Sequence, residues 1–177
     1  MAAFVKGRWT TWKSEVAVEF YASICDLLAH EDVKKLDDCV QHYAFSRLHH
    51  SLDVAFYSFL IARFLRWDCR STARGALLHD LYFHDWRTED FDGNALSHLL
   101  THPRIALENA RKITDLNAVE ENIILRHMWL LTLTPPRYKE GFVVTFVDKY
   151  CAVHELFLGA LSLQKALRRD IDTAASI

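Results

Sequence analysis

The sequence predicts an all-α fold, a single compact helical bundle, on three grounds. Just over half of its 177 residues are apolar, too many for a disordered chain. Only five glycines and three prolines interrupt them, too few for a many-turned β protein. Apolar residues also recur at three- and four-residue intervals, the period of an amphipathic helix. We expect one domain over residues 1–177, because two separate cores cut from this length would each be marginal.

Taken in order, the first expected helix runs from Thr11 to Leu28, with Val16, Val18, Phe20, Ile24, Leu27 and Leu28 at helical intervals. A shorter, more charged helix follows over Glu31 to His42, with Val33, Leu36 and Val40 on one face. Ser46 is placed to cap a long helix from Arg47 to Arg66, and Ser71 to cap another from Thr72 to Leu81. HDWRTEDFDG, residues 84–93, is charged and without periodicity, and reads as a loop. A helix restarts near Pro103, since proline is tolerated in a first turn. Asn117 with Glu120 makes a capping-box start for a helix ending near His127 to Trp129. Thr134-Pro135-Pro136 forces a turn, a last helix spans Tyr138 to Arg168, and the tail DTAASI is expected to fray. The aromatic residues Phe56, Tyr57, Phe59, Phe64 and Trp67 read as core.

Composition excludes several functions. A formal charge of −2 without a long basic block gives no footprint for a nucleic-acid polymer or an anionic membrane. The longest apolar stretches fall far short of the roughly 20 residues of a spanning helix. No charged and then apolar leader opens the chain, which is therefore expected to be unprocessed. Cys25, Cys39, Cys69 and Cys151 are scattered without a C-x-x-C pair, and we expect thiols in a reducing cytoplasm. Apolar residues in the terminal helices leave a homodimer open.

Ten histidines are many for this length, and their placement carries the chemistry. His79-Asp80 closes the apolar run Gly75-Ala76-Leu77-Leu78, while His50, His102, His127 and Asp148 lie at or in other expected helices. Four imidazoles and two carboxylates suit two borderline divalent metals, one carboxylate bridging them. His50 shares a face with Val54, Tyr57 and Ile61, whereas His49 shares one with Asp53. His50 is therefore chosen as the inward residue and His49 is left to support it or to meet solvent, while an exchange of the two within the doublet stays open. Asp80 has a second reading as a helix-end carboxylate paired with Arg74 or Arg87, but a buried charge of this kind is costly without a partner.

The stretches RLHHSLDVA, ARGALLHDLYFHDW, THPRIALENA, EENIILRHMWLLT and VTFVDKYCAVHE together resemble the HD superfamily in its H…HD…H…H…D form, over residues 41–157. The resemblance implies an HD-type bundle in which His50, His79, Asp80 and Asp148 bind one metal. Asp80 then bridges to a second held by His102 and His127. Many HD phosphohydrolases carry a lysine shortly after the pair. Here Leu81-Tyr82-Phe83-His84 follows, which leaves His84, Arg104 and Lys149 as candidates to face a phosphate beside the catalytic Asp80.

What the resemblance implies is metal-dependent hydrolysis of a small phosphoester, a nucleotide first, with iron as the favoured metal and manganese or another transition metal next. The same ligand set also serves mixed-valence di-iron oxygenases of the superfamily. A third reading is a regulatory module that binds metal and nucleotide without turnover.

Overall fold

The computed structural model describes residues 14–42, 45–83 and 95–174. Its elements are α1 (Ser14–Ala29), α2 (Glu31–Lys34), a 3₁₀ turn (Lys35–Asp37), β1 (Val40–His42), β2 (Phe45–Ser46), α3 (Arg47–Phe64), α4 (Cys69–Leu78), α5 (Ala95–Ile113), α6 (Ala118–Arg126) and α7 (Lys139–Ala174). The fold is all-α, and the two strands form only a short antiparallel pair leading into α3. No helix among the described residues is long and apolar enough to cross a membrane.

Helix α4 is the hub. It packs against α1, α3, α5, α6 and α7, and every residue from Ser71 to Tyr82 is buried. A helix covered on all sides needs small residues where neighbours come closest. Ala73, Gly75 and Ala76 supply them: a Cβ added at Gly75 would lie 3.0 Å from the Ile123 side chain of α6. Phe56 and Phe59 of α3 close the core against Phe20 of α1, with ring centroids 5.1 and 5.4 Å away. Buried Arg74 ties the helices together through Asp26, the carbonyl of Ser23, Glu120 and Thr114.

Several boundaries differ from the sequence expectation. Helix α2 stops at Lys34, because Asp37, Asp38, Cys39 and Val40 are poor helix formers and their stretch finds other partners. The Ser46 hydroxyl donates to Asp37 at 2.6 Å, and the Arg47 amide donates to the Cys39 carbonyl at 2.7 Å. Ser46 also caps α3, accepting from the His49 amide. Helix α4 starts at Cys69 rather than Thr72. Asp68 is its cap, and the Ser71 hydroxyl instead accepts from Asn117.

Helix α5 begins at Ala95, so Pro103 sits inside it; the Leu-rich run before the proline carries the helical pattern across the lost hydrogen bond. The Asn117–Glu120 capping box is present. Helix α7 runs past Arg168 to Ala174, so part of the tail expected to fray is helical. Among the aromatics expected in the core, Phe64 is 85% exposed and Tyr57 lies at the surface. Phe146, Tyr150, Val153 and Phe157 form an exposed stripe along α7. The start of the first expected helix at Thr11 and the loop at residues 84–93 lie outside the described residues.

Candidate metal centre

Five helices deliver six side chains to one buried place. His50 comes from the first turn of α3, and His79 and Asp80 directly follow α4. His102 comes from α5, His127 directly follows α6, and Asp148 comes from α7. All six are at least nine-tenths buried.

His79 and His127 are fixed by the same device. The last carbonyls of a helix lack intrahelical partners, and each imidazole sits at such an end. His79 Nδ1 donates to the Ala76 carbonyl at 2.7 Å, and His127 Nδ1 donates to the Ile124 carbonyl at 2.8 Å. A carbonyl only accepts, so the proton is on Nδ1 and each Nε2 presents its lone pair inward. His50 is oriented by Glu155, whose Oε1 is 3.0 Å from Nδ1, while Nε2 lies 3.1 Å from Asp148 Oδ1.

The donor atoms then converge. His79 Nε2 is fully buried and makes no hydrogen bond among the described residues. It stands 3.6 Å from Asp80 Oδ2 and 3.7 Å from Asp148 Oδ1. Asp80 turns its other oxygen the opposite way: Oδ1 is 3.5 Å from His102 Nε2 and 3.6 Å from His127 Nε2, which are themselves 3.0 Å apart. These gaps are mostly too long for hydrogen bonds. They match the roughly 3.0–3.6 Å between neighbouring ligands of a cation bonded at about 2.0–2.2 Å. The residues fit a metal ion: the overlapping triads His50/His79/Asp80, His79/His127/Asp148 and Asp80/His102/His127 each bring three donor atoms close enough to hold one.

Electrostatics point the same way. Burial opposes charge on His50, yet its hydrogen bonds to Asp148 and Glu155 outweigh that and lift its pKa to about 10. Burial likewise opposes charge on His79, but Asp80 and Asp148 raise its pKa. Burial would raise Asp80, whereas the potential of His79, His102 and His127 holds it well below the usual carboxylate range. Asp148 is held low against burial by His50 and His79. His127, buried and repelled by His79 and His102, is pushed down to about 3.

The remaining sequence candidates separate. Lys149 lies at the edge, partly exposed, its Nζ bonded to Asp148 Oδ2 and 3.3 Å from Met128 Sδ. Arg104 is exposed, and two residues beyond His102 it points to the far side of α5. His84 is outside the described residues. His49 is half-buried and turned to Asp53, so His50 is the histidine brought to Asp148.

Two residues escaped sequence reasoning. Glu155 follows Asp148 by seven positions, two turns on the same helical face, and that spacing could have found it. Arg47 is buried with its guanidinium 3.8 Å over the Tyr82 ring, which in turn lies tilted against His102 with centroids 5.4 Å apart. No local pattern announces that contact. Compared with protein-family models, curated proteins and solved structures, the chain finds no match.

Proposed function

We propose that the chain is an HD-type metal-dependent phosphohydrolase acting on a small phosphoester, a nucleotide first, with two divalent metals held by His50, His79, Asp80, His102, His127 and Asp148. The observation that carries this reading is the split of Asp80. Its two oxygens face separate imidazole sets, His79 on one side and His102 with His127 on the other. When bound, a pair of cations supplies an activated water near neutral pH and neutralises charge on the phosphoryl group.

The chain's own residues do the rest. Asp80 and Asp148 offset the cationic charge, and the carbonyls of Ala76 and Ile124, with Glu155, hold the imidazoles in one orientation. Lys149 is the cation best placed to meet a phosphoryl oxygen, being partly exposed beside Asp148. Arg47 stiffens the wall behind His102 through Tyr82.

The test is phosphate release from nucleoside mono- and diphosphates and sugar phosphates by protein loaded with iron or manganese. Wild type should turn over at least one class. Asp80→Ala should lose its metal and at least about 10³-fold in rate. Full activity in metal-depleted Asp80→Ala would contradict the proposal. Oxygen uptake with a polyol or phosphonate, without phosphate release, would replace hydrolysis by oxygenase chemistry.

A further inference from the structure

Glu155 has a second carboxylate oxygen that the centre does not use. Oε1 faces His50, while Oε2 is buried and meets no hydrogen-bond partner among the described residues. The side chain is only 2% exposed, so water does not solvate it freely. Glu155 gathers with His49 and Asp53, and one donor atom of each, a carboxylate oxygen in the case of the acids, lies within 4.8 Å of the others. His49 and Asp53 are one turn apart on α3 and so share a face, with His49 Nδ1 4.0 Å from Asp53 Oδ2. Glu155 reaches them from α7.

We infer that His49, Asp53 and Glu155 form a further metal site, beside the six-residue centre, for a divalent transition metal such as manganese or zinc. One imidazole and two carboxylates balance a divalent charge, and the imidazole favours a transition metal over magnesium or calcium. Neighbouring ligands at about 2.0–2.2 Å from an ion are about 3.0–3.6 Å apart, so donors now within 4.8 Å of one another close by up to about 2 Å on binding. His49 is 28% exposed, which gives the ion a route from solvent and leaves positions for water.

Glu155 then joins two sites. A cation on Oε2 withdraws charge from Oε1 and loosens its hold on His50 Nδ1. Occupancy of the outer site therefore lowers affinity at the six-residue centre, a coupling that rests on the reading of that centre, whereas the outer site itself does not.

The experiment is equilibrium dialysis of untagged, chelator-stripped protein against manganese, followed by elemental analysis. Wild type, Asp53→Asn, His49→Ala and Asp80→Ala are compared, with helicity checked by circular dichroism. Asp53→Asn and His49→Ala should each hold one manganese fewer per chain than wild type, and Asp80→Ala should keep the outer one. His49 is the more exposed position, so its variant decides the matter where Asp53→Asn fails to fold. Equal counts in wild type and both α3 variants overturn the outer site and leave the six-residue centre standing. Loss of all metal in both variants also overturns it, assigning the pair to the support of His50. One ion that survives Asp80→Ala but not His49→Ala upholds the outer site while removing the inner one.

Discussion

His50 illustrates how each ligand is set by its neighbours. It lies between Asp148 and Glu155, and with a pKa of about 10 it is protonated at neutral pH in the metal-free protein. A metal takes the same Nε2 lone pair as that proton, so binding must release it. Affinity for the ion at His50 should therefore fall at least about tenfold per unit of acidification between about pH 6 and 9. Competition with a chelator at several pH values checks this, and a flat profile would contradict it. The proton also has a folding consequence. A raised pKa stabilises the metal-free fold below the ordinary value of 6.5, and that contribution is lost as pH rises through about 10.

Glu155→Gln removes the charged partner of His50 and should weaken the inner metal about 10- to 100-fold in the same competition assay. Unchanged affinity would show that the carboxylate does not support the ligand. That these six residues gather was legible because histidine and aspartate in apolar helical contexts are costly unless they meet a partner. Arg47 was not, since its partner Tyr82, 35 residues away, is set by tertiary packing, whereas Glu155 shows only in its seven-residue spacing from Asp148.

At the scale of elements, helices with strong local instructions were read correctly. Ser46 before α3 and the Asn117–Glu120 box before α6 both satisfy orphan amides at a helix start. Competing caps caused the errors: Asp68 outranks Ser71 at α4, and Asp37 with Cys39 ties the chain to the start of α3 instead of continuing α2. Helix α4 also owes its position to Gly75. Alanine there would gain helix propensity, yet its Cβ would meet three Ile123 side-chain atoms at 3.0 Å. Gly75→Ala should destabilise by about 1–3 kcal/mol in urea unfolding. It should also weaken metal binding, because α4 and α6 lead directly into His79 and His127. A neutral or stabilising result would mean that the two helices can part without cost.

For the whole molecule, the bundle works as a frame that brings distant ends together. The all-α class followed from composition and periodicity, but the way α4 is enclosed did not, because its Ser71, Thr72 and Arg74 read as a solvent face and are buried. Arg74, in the middle of α4, holds that frame against α1 and α6, and the C-terminal end of α4 presents His79 and Asp80. The central claim is that this end holds two cations on either side of Asp80. Anomalous diffraction from crystals grown with manganese or iron tests it most directly. The account predicts two peaks flanking the Asp80 carboxylate, one contacted by His50, His79 and Asp148, the other by His102 and His127. Absence of any peak within coordination distance of Asp80, in protein exposed to saturating metal, would contradict it.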